Sequence, residues 1–325
     1  MTIIDVHAHV LPKDYPVGEA FPRTAPIDGD SAREVFFGAF HYRAEDIWFD
    51  VERRIEAMDG RGVDEEVISP MPPLLNYSLD LEAGTTLFRH INESIAGYVA
   101  AGGGRIHGLG TVPLQDPDAA AAELTHIAEL GLRGAEIPSH VNGKPIGEPE
   151  FYPVFEEAER LGLGLFVHTL PRAEELGIHP DYRGSLGVGI EATRGAASIA
   201  FGGLADRCAL DNLLFSHAAG GLPAFLPRAD FFWSQAPEDQ RTAEPPSAIA
   251  RRFSYDSMVF DPAGMRFIIE YLGADRIMLG TDFPAMPRPM PMASLLDGLG
   301  LNDHDRELIS SANARRFLSQ SAAAV

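Results

Sequence analysis

Eight short apolar runs, each separated from the next by a stretch with helical spacing, constrain this chain more than any other feature. The runs are Thr2 to Val10, Glu66 to Pro70, Ile106 to Pro113, Leu132 to Ile137, Leu163 to His168, Asn212 to His217, residues 254 to 259 and Arg276 to Asp282. Helical patterns are expected at about 50–62, 81–101, from Pro117 behind the cap Asp116, 151–161, 187–205, from Pro262 behind Asp261, and 303–318. Strand–helix alternation of this kind implies a parallel sheet. Eight repeats suit closure into a (β/α)8 TIM barrel, with a doubly wound open sheet as the alternative. The barrel is favoured because metal-type residues end the first, fifth, sixth and eighth runs, and barrel active sites are built at the C-terminal ends of strands. An open sheet would have trouble gathering them. The 325 residues fit one such domain, residues 1–325.

Between the first run and the first helix, residues 11–49 show no clear period but carry Tyr15, Phe21, Phe36, Phe37, Phe40, Tyr42, Trp48 and Phe49. A segment this long without structure is usually functional or disordered, and its aromatics argue against disorder. We read it as an inserted lid or flap. A net charge of −21 argues against nucleic acid and an anionic membrane surface as partners, both of which require basic patches. No stretch approaches the roughly 20 apolar residues of a membrane span, and no secretory leader opens the chain, so a cytoplasmic protein is expected. The single cysteine, Cys208, rules out both an internal disulfide and a thiolate-rich metal site.

The chemistry begins with His7 and His9. At a spacing of two on a strand, both imidazoles share a face and can converge on one ion. Taken singly, His168 and His217 would serve equally well as packing or capping residues, and Asp282 before Phe283-Pro284 could be a simple turn residue. Jointly, four histidines and an aspartate at one buried mouth are costly unless a cation compensates them. Asp256 is a candidate supporting residue, and His140, after the fourth strand, could reach the site.

His7-Ala8-His9, Phe166-Val167-His168, Phe215-Ser216-His217-Ala218-Ala219-Gly220-Gly221 and Gly280-Thr281-Asp282-Phe283-Pro284 resemble the metal signatures of the amidohydrolase superfamily. Within it the chain is most similar to the decarboxylase branch typified by 2-amino-3-carboxymuconate-6-semialdehyde decarboxylase, through Val10-Leu11-Pro12-Lys13, Arg54 to Asp59, Gly108 to Pro113 and Tyr255 to Pro262. The resemblance implies one divalent metal, zinc with manganese as the alternative, held by His7, His9, His168 and Asp282. It places His217 beside the metal as general acid/base. Binuclear members bridge two ions with a modified lysine after the fourth strand, where this chain has none, since its only lysines are Lys13 and Lys144.

The resemblance further implies a small carboxylic acid substrate bound by arginines. Arg43 stands within a residue of one expected place. The other arginine would come from the partner of a homodimer, and the corresponding position here is Ala236, with Arg228 and Arg241 nearby. The expected function is therefore zinc-dependent decarboxylation of a small unsaturated or hydroxy- or amino-aromatic acid, with His217 and Asp282 moving the proton. A metal-dependent hydrolase or hydratase acting on a lactone, amide or unsaturated acid is the alternative on the same site.

Overall fold

A short apolar run becomes a buried strand only if the segment after it folds back, and here helix caps make it do so. Asp50, Asp80, Asp116 and Asp261 each accept a backbone N–H of the helix that follows, and Gly62 and Gly162 take left-handed C-cap positions. The structure is a computed structural model that describes residues 1–38, 40–170 and 177–319. Its barrel strands are β1 (Ile4–Val10), β2 (Glu65–Pro70), β3 (Ile106–Gly108), β4 (Gly134–Pro138), β5 (Gly164–His168), β6 (Leu213–Phe215), β7 (Ser254–Asp256) and β8 (Ile277–Met278). The helices around them are α1 (Val51–Arg61), α2 (Leu81–Ala101), α3 (Pro117–Glu129), α4 (Tyr152–Leu161), α5 (Val188–Ala200), α6 (Leu222–Gln235), α7 (Pro246–Ala250) and α8 (Pro262–Leu272).

All ladder pairs among these strands are parallel, running β1–β2–β3 in one section and β4 to β8 in the other. Two seams close the circle. Gly110 bridges to Ala135 between β3 and β4, and Ala8 bridges to Phe283 between the chain's first and last strands. At this second seam Val6 N donates to Leu279 O (2.9 Å), Asp282 N to His7 O (2.7 Å) and His9 N to Phe283 O (2.7 Å). The interior below the mouth is filled by Ile4, Val6, Val67, Leu109, Phe166, Leu214 and Met278, with Phe317 and Leu318 among the residues packed with them.

Strands three, six, seven and eight are shorter than their apolar runs. Asn92 explains the third: its side chain accepts from Thr111 N (2.7 Å) and donates to Thr111 O (3.0 Å), drawing the backbone out of the ladder. Beyond Met278, side chains take over again, because Gly280 N bonds Ser257 Oγ and Thr281 N bonds Asp5 Oδ1. Helix α6, after the sixth run, has no counterpart among the expected helices; Pro223 and Pro227 mask its period.

The expected insertion at 11–49 is not structureless. Its strands Arg23–Pro26, Arg33–Phe37 and Phe40–Ala44 form an antiparallel sheet. Val35, Ala44, Trp48 and Phe49 sink into the main core, and Tyr42 packs against Trp48 with its hydroxyl on Met71 Sδ (2.8 Å). Among the described residues, no helix is long and apolar enough to cross a membrane.

Candidate metal centre

Strict alternation along β1 would put Asp5 on the same face as His7 and His9. Instead Asp5 pairs with Glu66 and Ala8 with Ile68, so three residues of β1 advance against two of β2. This bulge changes the parity of the strand. Ile4 and Val6 fill the barrel interior, His7 and His9 also point inward above them, and Asp5 turns outward to Arg61.

His168 ends β5, and Asp282 follows β8 in a left-handed conformation (φ 59°). One ligand atom from each of His7, His9, His168 and Asp282 lies within 4.8 Å of the others. His7 Nε2 is 3.1 Å from His9 Nε2 and 3.0 Å from His168 Nε2, and Asp282 Oδ1 is 3.2 Å from His9 Nε2 and 3.6 Å from His7 Nε2.

Each Nδ1 of the three imidazoles meets an acceptor: Asp256 Oδ2 (2.6 Å) for His7, Pro70 O (3.0 Å) for His9 and Thr169 O (3.0 Å) for His168. Those acceptors hold the proton on Nδ1 and leave every Nε2 as a lone pair aimed at the same point. Three lone pairs and a carboxylate oxygen facing one another repel unless a positive charge sits among them. The donor set therefore fits a single divalent cation, with nitrogen and oxygen ligands of the kind zinc takes.

The ionisation pattern agrees. Burial disfavours charge on His7, but Asp282 and Asp256 outweigh it and raise its pKa to about 9. Burial lowers His9, and burial together with the neighbouring imidazoles holds His168 well below the usual histidine range. Asp282 is buried too, yet His7 and His9 keep it well below the usual carboxylate range. Without a cation the cluster thus retains a single imidazolium, on His7. Glu136 on β4 reaches the same chamber, 3.7 Å from His9 Nδ1, and burial pushes it up to about 8. It adds no full negative charge to those of Asp282 and Asp256 at neutral pH.

Beside the cluster, His217, Ala218 and Ala219 all have positive φ (51°, 51° and 54°). Three consecutive non-glycine residues in this region store strain of roughly 1–2 kcal/mol each. Asp256 compensates by accepting His217 N (3.0 Å) and Ala218 N (2.8 Å). The turn delivers the His217 ring to 5.4 Å from that of His7 and 5.5 Å from that of His168, centroid to centroid. Among the described residues no hydrogen-bond partner is found for that ring. Burial lowers the His217 pKa to about 4.

A family model for amidohydrolases matches residues 4–320. The chain belongs to the amidohydrolase family. It is 28% identical over 327 residues to the 2-amino-3-carboxymuconate-6-semialdehyde decarboxylase of Dictyostelium discoideum, covering 97% of this chain and 91% of that one. The structure of 5-carboxyvanillate decarboxylase from Sphingomonas paucimobilis is similar at 31% identity and a TM-score of 0.73, over 82% of each chain. The dihydroxybenzoic acid decarboxylase of Polaromonas sp., solved with manganese and 2-nitroresorcinol, shares the fold at 20% identity and a TM-score of 0.77, over 98% of this chain and 97% of that one. These relatives are carboxy-lyases, which places this amidohydrolase in the decarboxylase branch.

Not every residue expected at the site arrives there. Arg43 lies on the inserted sheet with its side chain 46% exposed, bonded to Asp30 (2.6 Å) and Glu45 (2.8 Å). Arg228 and Arg241 stack on Phe232 and Trp233 of α6, and His140 bonds Leu170 O (3.0 Å). Sequence reasoning missed Arg54 and Arg61, which reach behind this amidohydrolase's histidine and aspartate cluster. Their signal was present: at helical spacing from Met58, the two arginines share with it the buried face of α1.

Proposed function

We propose that the protein is a metal-dependent decarboxylase of a small hydroxy- or amino-aromatic, or similarly unsaturated, carboxylic acid. The observation that carries this reading is the His217 imidazole, set beside a converged three-histidine and aspartate cluster with no hydrogen-bond partner among the described residues. Relatives acting on carboxymuconate semialdehyde, carboxyvanillate and dihydroxybenzoic acid support the substrate class.

His7, His9, His168 and Asp282 would hold one ion, zinc by its preference for imidazole, with manganese the alternative that a relative carries. Bound there, a divalent cation supplies Lewis-acid neutralisation of the substrate's anionic oxygens. Asp256 fixes the tautomer of His7 and the turn that carries His217. His217, neutral at rest, takes up a proton from solvent and, with Asp282, passes it to the carbon bearing the carboxylate. The bond to the carboxylate then breaks with its electron pair left on that carbon, and carbon dioxide departs, so carboxylate plus one proton gives the product, with hydrogen in place of the carboxylate, and CO2.

Arg43 would bind the substrate carboxylate only by leaving Asp30 and Glu45, as the inserted sheet closes over the mouth as a lid. Exposed Phe225, Phe231 and Phe232 on α6 support a homodimer. The test is to load the protein with zinc or manganese, offer a panel of ortho-hydroxy and ortho-amino aromatic acids and unsaturated semialdehyde acids, and record CO2 with ultraviolet spectra. Substrate loss without CO2 would transfer the assignment to hydrolysis or hydration.

A further inference from the structure

Behind the metal ligands, on the outer side of the barrel, lies a second cluster that touches neither the ion's position nor the mouth. Asp5 and Glu66 are fully buried there, with the side chains of Arg54 and Arg61 only 2% and 6% exposed. Two carboxylates and two guanidiniums balance in charge, so the cluster is neutral as a unit.

Its connections all lead to the seam between the first and last strands. The bulge in β1 leaves His7 N outside the regular ladder, and Asp5 Oδ1 accepts it at 3.2 Å. The same oxygen accepts Thr281 N at 3.1 Å, and Asp5 Oδ2 accepts the Thr281 hydroxyl. One carboxylate thus ties the backbone of ligand His7 to the residue before ligand Asp282. Arg61 orients that carboxylate through Nη1 (3.1 Å), bonds Glu66 through Nη2, and lies 3.6 Å over the ring of Phe283, the residue after Asp282. Arg54 bonds Glu66 and donates to His9 O at 2.9 Å. The backbone of His7 is therefore held by Asp5 and that of His9 by Arg54, while Asp282 is held through its neighbours Thr281 and Phe283.

We propose that Asp5 and Arg61, with Thr281 between them, are positioning residues that set the placement of Asp282 relative to His7 and thereby the affinity and geometry of the metal site. The inference rests on the reading that His7, His9, His168 and Asp282 hold a divalent ion; it does not require that the reaction be decarboxylation. Partners outside the ligand shell orient the ligands, and their loss commonly costs about 10–100-fold in metal affinity.

The test compares Thr281→Val, Asp5→Asn, Arg61→Lys and Arg61→Met with a control, Arg105→Met, which breaks the exposed pair with Asp59 at the end of α1. Zinc dissociation constants by chelator competition, the visible spectrum of the cobalt-substituted protein and the melting temperature are measured for each. Thr281→Val and Asp5→Asn are expected to weaken zinc about 10–100-fold and shift the cobalt bands, with Arg61→Lys recovering part of the loss seen in Arg61→Met. The control is expected to change neither, whatever its melting temperature. If Arg61→Met does not fold, Thr281→Val decides, because it removes one hydroxyl at nearly constant shape. Unchanged zinc affinity and cobalt spectrum in folded Thr281→Val and Asp5→Asn, at a lowered melting temperature, would make the cluster a structural one and overturn the proposal. Failure of the wild-type chain to take up zinc would overturn the metal reading itself, whereas absence of CO2 release would touch only the proposed function.

Discussion

His7 Nδ1 and Asp256 Oδ2 lie 2.6 Å apart with both side chains fully buried. The same aspartate accepts the backbone N–H groups of His217 and Ala218, so one carboxylate serves a proposed metal ligand and the proposed proton carrier together. Asp256→Asn removes the charge and turns one acceptor into a donor facing His7. We expect about 10–100-fold weaker metal binding and a larger loss of turnover, read by chelator competition and by CO2 release. Metal affinity within a factor of two of wild type would show that Asp256 does not tune His7.

His217→Ala should separate proton delivery from metal binding. The ring contributes no atom to the four-donor cluster, so metal content measured by atomic emission should match wild type. Turnover should fall by about 10²–10⁴-fold, the usual contribution of a positioned acid or base. Retained turnover at full metal loading would remove His217 from the reaction.

Gly280 packs where a side chain cannot go. A Cβ there would stand 2.9 Å from both His7 Cβ and Asp256 Cβ. Neither neighbour can yield without moving the 2.6 Å bond between them. Gly280→Ala is expected to cost about 1–3 kcal/mol of stability in urea melts and to lower metal affinity with it. A stable Gly280→Ala protein with wild-type zinc affinity would show that the seam can relax.

Acidity and metal compete at the same atoms. In the cation-free chain His7 is raised from 6.5 to about 9, so the stability from its protonated form is complete below pH 6.5 and lost as pH rises to about 9. Cation binding must displace that proton, about one per ion, so affinity climbs across the same window. Melting temperatures with and without zinc should therefore diverge steadily from pH 6.5 to 9, with proton release on zinc addition seen in unbuffered solution. A gap that stays constant or narrows would contradict a site poised around His7.

The barrel and the four residues that converge in its mouth were legible because they depend on local signals. Apolar runs of strand length alternate with helical segments, and His7, His9, His168 and Asp282 sit at the ends of such runs. What escaped depends on distant partners. The bulge that turns Asp5 outward is set by pairing with Glu66 and Ile68, which nothing within β1 announces. The early end of β3 follows from Asn92, 19 residues before Thr111 on another element. Arg43 stood at a plausible sequence position, but Asp30 and Glu45 on its own insertion claim it, and only the fold of that insertion reveals the competition. Arg54 and Arg61 were visible as two charges at helical spacing from Met58 and invited the question of what they meet.

The closure of the circle between Ala8 and Phe283 has a temporal consequence. His7 and His9 leave the ribosome first, and the carboxylate that completes their set follows some 270 residues later. A nascent chain thus carries an unfinished cluster, two histidines and later three, until Asp282 emerges. The four-donor cluster is complete only when the last stave has docked against the first, so any ion the cluster holds at full strength would report that the whole barrel has been made.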